Sequence, residues 1–365
     1  MKVLFACGGT AGHINPAISV ADLLKRSVPG LSAVFVGTPD GMENRLVTEA
    51  GYRIRHIPTE KLRRSLSPRN IKAAFSLLRS FSVARKILSE ETPDLVLGTG
   101  GYVCYPILRV AAARGIPTVL HESNARAGLA ARALARHTDL VLINFPSAER
   151  DFRSAEKTVI SGNPLRREFY SLSREEARRR LGLPVNALYL VVFGGSLGAA
   201  KLNESVEGAV SRLLTLYPNL TILHAVGKNR GNGGAVNSFA RYKKREYIND
   251  MPTHLFAADA AVCRAGAMTV SEIAAAGVPT ILVPYPLAAG DHQTKNAAAL
   301  AKKGAAVLLP DAALTPDALT VQLQKILSDR EKRDKMREAV SRFRVPECES
   351  VILGEILSLC PKIDE

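Results

Sequence analysis

The sequence predicts an α/β protein of two Rossmann-like domains. Short apolar runs alternate with longer helical stretches along the whole chain, the pattern of parallel strands joined by crossover helices. The runs are apolar throughout rather than at every second residue, so their strands are buried on both faces. One feature also occurs twice. Residues 3–7 run into Gly8-Gly9-Thr10, and residues 190–193 into Gly194-Gly195-Ser196, each an apolar strand ending in two glycines and a hydroxyl before a helix. The two copies lie 186 residues apart in a chain of 365, and each opens a domain.

In order, the first domain has strands at 2–6, 33–36, 95–97, 118–120 and 140–143, with helices at 17–25, 71–89 and 129–136. The second has strands at 189–193, 221–225, 260–262 and 280–283, a helix at 270–276 and another beginning at Asp291. Residues 150–164 carry few long apolar runs and end in Gly162-Asn163-Pro164, which reads as a linker. The expected division is 1–161 and 162–345, with the C-terminal segment 346–365 a candidate to complete the first domain. Its helix, 351–359, has no docking site that pattern reveals.

Composition narrows the function. Apolar residues are 47% and charged residues 23%, with a mean hydropathy of +0.04, which excludes wholesale disorder. Lys and Arg number 49 against 34 Asp and Glu, giving +15 and a pI near 9.8. That excess favours an anionic partner: nucleic acid, an acidic membrane or a phosphorylated ligand. Nucleic acid is disfavoured, because there is no Trp, aromatics are 5%, and the bases do not interleave with them. The five cysteines (7, 104, 263, 348 and 360) are odd in number and never form CxxC, which fits a reducing compartment. Residues 3–7 are too short for a signal sequence, and the longest uncharged apolar stretch, 273–290, is broken by Gly277, Pro279, Pro284 and Pro286. A cytoplasmic protein is expected.

The loops at strand ends carry the chemistry. Glycines in Gly8–His13 let a ligand approach the backbone, and helix-start N–H groups suit anions. The loop is not a dinucleotide fingerprint, because Cys7 holds the first glycine position. His13 is the candidate general base, since an unperturbed histidine titrates at ~6.5; a capping or packing histidine is the alternative. Gly98-Thr99-Gly100-Gly101-Tyr102 and His121-Glu122-Ser123-Asn124 end two more strands. In the second domain, 194–199 and 264–269 are further anion-loop candidates. Glu272, expected in the first turn of its helix, either complements the helix dipole or accepts sugar hydroxyls. Gln293 can donate and accept at once. No acidic DxD-type pair flanks these loops, so no metal and no cofactor are expected.

Seven motifs stand in one order: Gly-Gly-Thr-Ala-Gly-His at 8–13, Gly-Gly-Tyr-Val at 100–103, His-Glu-Ser-Asn at 121–124, Gly-Asn-Pro-Leu-Arg at 162–166, Gly-Gly-Ser-Leu-Gly-Ala at 194–199, Arg-Ala-Gly-Ala-Met-Thr-Val-Ser-Glu at 264–272 and Asp-His-Gln-Thr-Lys-Asn-Ala at 291–297. Over roughly residues 1–345 the chain resembles the MurG family. The resemblance implies a GT-B glycosyltransferase, two Rossmann-like domains facing a cleft, that moves N-acetylglucosamine from UDP-N-acetylglucosamine to the 4-hydroxyl of undecaprenyl-linked lipid I, forming lipid II for peptidoglycan. It further implies that Arg166, Ser196, Ala267, Met268 and Thr269 hold the diphosphate, Ile248 meets uracil and Glu272 the ribose. His292 and Gln293 would meet the sugar, joined by Thr10, Ala11, Gly12 and Asn124. His13 would be the base, with Asn124 and Glu122 as positioners. Ala11, Cys104, Ser123, Leu197 and Ala265 depart from the commonest family residues, and Ala265 removes a hydroxyl from the phosphate site. The rival enzyme reading is a UDP-N-acetylglucosamine 2-epimerase, which needs no lipid acceptor.

A lipid-linked acceptor implies a peripheral protein at the cytoplasmic face of the inner membrane, with an anionic membrane surface and cell-wall synthesis proteins as partners. Residues 1–160 hold 22 bases and 13 acids, an excess of +9. Residues 53–86 alone hold ten bases against Glu60, which accounts for it. The helix in that stretch has two adjoining apolar stripes, Ile71, Phe75, Leu78 and Leu77, Phe81, Ala84, Leu88. Insertion of Ile71, Phe75, Leu78 and Phe81 beside Arg63, Arg64 and Arg79 is expected; burial in the core is the alternative.

Overall fold

Two parallel sheets organise the protein, each with its chain reversal in the middle. The structure, a computed structural model, describes residues 1–59, 69–195, 197–227 and 240–360, without the side chains of 11, 69–75 and 289. The chain divides into one unit of Met1–Leu165 with Val345–Glu365 and another of Arg166–Arg344.

The first sheet comprises β1 (Lys2–Ala6), β2 (Ser32–Gly37), β3 (Arg53–His56), β4 (Leu95–Gly98), β5 (Thr118–Glu122), β6 (Leu140–Ile143) and β7 (Lys157–Ile160), in the order β3-β2-β1-β4-β5-β6-β7. Alternate residues of β1 face opposite layers. Val3 and Phe5 join one core with Ile14, Val20 and Leu24 of the helix Ala11–Ser27, and Leu4 and Ala6 join the other with Ile107 and Leu108 of the helix Cys104–Ala113. The helix Cys348–Ser358 adds Cys348, Ile352 and Ile356 to the first of these cores. Ion pairs Arg26–Glu349 at 2.9 Å and Lys157–Glu355 at 2.5 Å tie its polar side to the same unit.

The second sheet comprises β8 (Leu188–Phe193), β9 (Leu220–Ala225), β10 (Tyr242–Arg245), β11 (Ala260–Cys263), β12 (Thr280–Leu282) and β13 (Ala306–Leu308), in the order β10-β9-β8-β11-β12-β13. In such sheets ligands bind at the carboxyl ends of the two strands flanking the reversal. Those strands are β1 and β4 in the first unit, paired Val3↔Leu95 through Ala6↔Gly98. In the second they are β8 and β11, paired Leu190↔Ala260 through Phe193↔Cys263.

All nine central strands coincide with runs expected from sequence. The four edge strands, β3, β7, β10 and β13, do not. The stretch 150–164, expected to be a linker, carries β7. The five cysteines are buried, and none is in a disulfide.

Candidate active site

The turn after β1 is shaped by close backbone approach. Gly101, at φ +86°, passes Gly8 so closely that a Cβ on it would lie 2.4 Å from the Gly8 carbonyl oxygen. Thr10 is the N-cap of the helix Ala11–Ser27 through its backbone, its carbonyl accepting from His13 N–H at 3.0 Å and Ile14 N–H at 3.2 Å. His13 thus sits in the first helical turn, half-buried, beside the turn after β4. Its Nδ1 is 3.0 Å from the Thr99 carbonyl oxygen, and the Thr99 hydroxyl donates back to the His13 carbonyl at 2.6 Å. A carbonyl only accepts, so Nδ1 carries the proton and Nε2 of the neutral ring holds the lone pair. Thr99 thereby selects the tautomer a general base needs.

At the end of β5, Glu122 organises the turn into the next helix. Its Oε1 accepts from the Asn124 backbone N–H and side-chain amide, both at 2.9 Å, and its Oε2 from Gly128 N–H at 3.3 Å. Burial raises its pKa, against these N–H groups. His121 beside it is buried, donates from Nε2 to the Gly162 carbonyl at 3.0 Å, and is held by burial at a pKa of about 4. It is a neutral structural histidine.

In the second unit, Gly198 (φ +80°) and Gly227 (φ +86°) press together; a Cβ on Gly198 would lie 2.1 Å from the Val226 carbonyl oxygen. Leu197 of this turn is exposed, and Ser196 lies outside the described residues. The turn after β11 is clamped from the helix His292–Ala301. Gln293 Oε1 accepts from Ala265 N–H at 3.2 Å and Tyr285 N–H at 2.9 Å, while the Asn296 amide donates to the Ala265 carbonyl at 3.2 Å. Arg264 closes the same turn from below, donating from Nη1 to the Val283 and Pro284 carbonyls and, at 2.6 Å, to Asp311. Gln293 therefore differs from expectation: its oxygen serves the protein, and its NH₂ is the end suited to a ligand. Sequence reasoning gave Asn296 and Arg264 no role. The signal for Asn296 was its i+3 spacing from Gln293, which puts both on one helix face.

Gly266 caps the helix Ala267–Ala276, which starts three residues earlier than expected. Glu272 is its sixth residue, so it lies in the second turn and cannot complement the first-turn dipole. Burial pushes its carboxyl up to about 7, and the nearby Arg166 guanidinium pulls against that. Arg166 in turn donates to the Asn249 carbonyl at 3.1 Å, next to buried Ile248. Arg166, Ile248 and Glu272 thus form one neighbourhood. Met268 and Thr269 are partly exposed at the helix start, and a Cβ on Gly266 would lie 3.7 Å from Thr269 Oγ1. His292 opens its helix after Asp291, a non-glycine residue at φ +55°.

The helix Arg69–Glu91 separates the two apolar stripes. Phe81 turns inward, partly buried against the core with its ring 6.1 Å from that of Tyr105, and Ala84 and Leu88 are buried, so Phe81 packs on the protein rather than facing outward. Leu78 is 68% exposed, flanked by exposed Arg79 and Arg85. The side chains of Ile71 and Phe75, and all of Lys61, Arg63 and Arg64, lie outside the described residues. The basic excess is also locally opposed: buried Glu91 accepts from Arg53 at 2.5 Å and Arg55 at 2.8 Å, Arg55 also pairs with Glu90, and Lys86 lies 3.8 Å from Glu90. Among the described residues no helix is long and apolar enough to cross a membrane.

Comparison with known proteins covers both units. The N-terminal domain of glycosyltransferase family 28 matches residues 3–143, and the C-terminal domain of that family residues 189–351. The chain is 37% identical over 367 residues to the UDP-N-acetylglucosamine--N-acetylmuramyl-(pentapeptide) pyrophosphoryl-undecaprenol N-acetylglucosamine transferase of Alkaliphilus metalliredigens, covering 98% of this chain and 99% of the relative. It is 41% identical over 344 residues to the enzyme of the same name from Acetivibrio thermocellus, covering 92% of each. The crystal structure of Acinetobacter baumannii MurG superposes with a TM-score of 0.79 at 31% identity, covering 98% of this chain and 99% of that one. With two parallel α/β units, the switch-point loops and this full-length likeness, the protein has the GT-B fold and belongs to the MurG family of glycosyltransferases.

Proposed function

We propose that the protein transfers N-acetylglucosamine from UDP-N-acetylglucosamine to the 4-hydroxyl of lipid I, forming lipid II, with inversion at the anomeric carbon. The activity reading is carried by the likeness to transferases of that name along both units. The mechanistic reading is carried by the Thr99–His13 bond, which leaves Nε2 as the proton acceptor.

In the reaction, Nε2 of His13 takes the proton of the acceptor hydroxyl as its oxygen attacks the anomeric carbon. The bond to the β-phosphate oxygen breaks, and UDP leaves with the developing negative charge. Backbone N–H groups at the start of the helix Ala267–Ala276 and the Arg166 guanidinium stabilise that charge. The Thr269 hydroxyl supplies there what Ala265 lacks, and Ser196 contributes from the other turn. Ile248 meets the uracil through its backbone, Glu272 takes the ribose hydroxyls, and the Gln293 amide with His292 takes the sugar. From the first unit, Thr10, Ala11 and Gly12 offer backbone groups to the sugar, and Glu122 holds Asn124 for the same task. A metal has no step in this scheme.

The acceptor's lipid chain places the working enzyme at a membrane, on the side where UDP-sugars are made. Leu78, with Arg79 and Arg85, forms the contact with an anionic surface. Cell-wall synthesis proteins are its expected partners there.

The deciding experiment incubates purified protein with labelled UDP-N-acetylglucosamine and a lipid I analogue. Labelled lipid product, with UDP released only when acceptor is present, supports the reading. UDP release without acceptor, accompanied by a 2-epimerised sugar, replaces it with the epimerase.

A further inference from the structure

Glu43 touches none of the groups assigned to the transfer except the first glycine turn. It begins the helix Glu43–Glu49, and its side chain is fully buried. Its Oε1 accepts from the Thr38 N–H and hydroxyl, both at 2.8 Å, and its Oε2 accepts from Gly9 N–H at 3.3 Å. Three glycines clear its space. A Cβ would lie 2.4 Å from Glu43 Cγ if placed on Gly37, 2.1 Å from Oε1 on Gly41, and 2.9 Å from Oε1 on Gly8. The two backbone groups hydrogen-bonded to it, on Thr38 and Gly9, can only donate, one to each oxygen, so the site suits an anionic oxygen pair and not merely a side chain of that length.

Its location gives this meaning. The turn after the first strand of a Rossmann-like unit is where backbone N–H groups meet a phosphate. Here one of those N–H groups, on Gly9, is taken by a carboxylate from the protein itself. Gly9 has φ +89°, a region open to few other residues, and it is the pivot between β1 and the helix that carries His13. Four residues on, His13 is anchored through Thr99. The segment from Gly9 to His13 is thus held at both ends.

We propose that Glu43 is a positioning residue for the transfer: its carboxylate fills the anion site of the first glycine turn from within, fixing the chain from Gly9 to His13 and closing that turn to phosphate. The catalytic part rests on the reading of His13 as the base.

The test uses two variants of the full chain. Glu43→Gln keeps the shape and replaces one accepting oxygen by an NH₂ that opposes its neighbours. Its kcat should fall roughly 10–100-fold, taking as a guide the cost of losing the outer-shell groups that orient metal ligands, with the donor KM within about 2-fold. Glu43→Ala should fall as far, and acetate or formate should restore part of its kcat while acetamide, uncharged and of similar shape, should not. Inorganic phosphate should raise the melting temperature of Glu43→Ala by more than that of the wild type, whose second unit keeps its own diphosphate site. Wild-type kcat in Glu43→Gln, a loss confined to KM, or equal rescue by acetamide would each overturn the positioning role. If Glu43→Ala does not fold, the kinetics of Glu43→Gln decide. If His13→Ala proves fully active, the base reading fails by itself, and the phosphate measurement still judges whether Glu43 occupies the anion site.

Discussion

The two glycine turns begin from nearly the same sequence and end as different devices. The first, after β1, receives a buried carboxylate at Gly9 and delivers a histidine whose tautomer is set by Thr99. The second, after β8, is held where Gly198 presses against Gly227, with the Asn203 amide donating to the Val226 carbonyl beside them. Its neighbour after β11 is clamped by neutral amides, Gln293 and Asn296. Among the described residues no carboxylate bonds to the backbone of 194–199. A strand–turn–helix with two glycines therefore offers N–H groups, and the side chains brought beside it decide whether an internal or an external anion uses them. Catalysis is expected to depend on the first turn and donor affinity on the second.

Four perturbations would break or sharpen that contrast. The largest effect belongs to His13. His13→Ala should lower kcat by roughly 10²–10⁴-fold. His13→Asn, which can keep a donor toward Thr99 but has no base, should be as slow. Activity retained in His13→Asn would remove Nε2 from the reaction, and a change in KM alone would reassign the residue to binding.

Next come the donor-side groups. Arg166→Ala and Gln293→Ala should each cost on the order of 1–3 kcal/mol in kcat/KM for UDP-N-acetylglucosamine. They should separate in thermal melts: Gln293→Ala also frees Ala265 and Tyr285 and should melt lower, whereas exposed Arg166 should not matter to stability. Equal melting temperatures would show that the clamp carries no stability.

Glu272→Gln links function to stability. The folded carboxyl holds its proton to about pH 7, and its ordinary value is 4.5. Between those values the unfolded chain gives up the proton and the folded chain keeps it, so the wild type loses stability as pH rises through that window. By pH 8 the neutral variant should be the more stable, by up to about 3 kcal/mol, while using the donor less well. Parallel stability–pH curves for the two proteins would refute the buried-carboxyl account.

The smallest effect is expected at the helix Arg69–Glu91. Arg79→Ala and Arg85→Ala should each weaken binding to anionic vesicles by ~1 kcal/mol, an effect lost at high salt. Arg53→Ala should change little, because Glu91 already neutralises it. Equal losses at Arg53 and Arg79 would mean that net charge, not this surface, governs docking.

The sequence by itself determined the α/β class, the nine central strands, the glycine turns that end them and the family. The physical reason is burial. A strand with neighbours on both sides and helices on both faces must be apolar throughout, as in residues 140–143, Leu-Val-Leu-Ile, and such a run is legible without any partner. Only the tertiary structure decided the edges. β3 reads Arg-Ile-Arg-His and β10 Tyr-Lys-Lys-Arg, because an edge strand has one partner, and basic side chains there also discourage pairing with another chain. The same holds for charge and for long-range partners. Arg53 and Arg55 look like surplus charge along the chain until Glu90 and Glu91 meet them. Phe81 and Leu78, three residues apart on one helix, part to core and surface by which neighbour each faces. The C-terminal helix finds its core nearly the full chain length from β1. Glu43 stands 34 residues from the glycine it holds. No local pattern announces such contacts, because the partner is set by how the sheet stacks its strands and not by the spacing of residues along the chain.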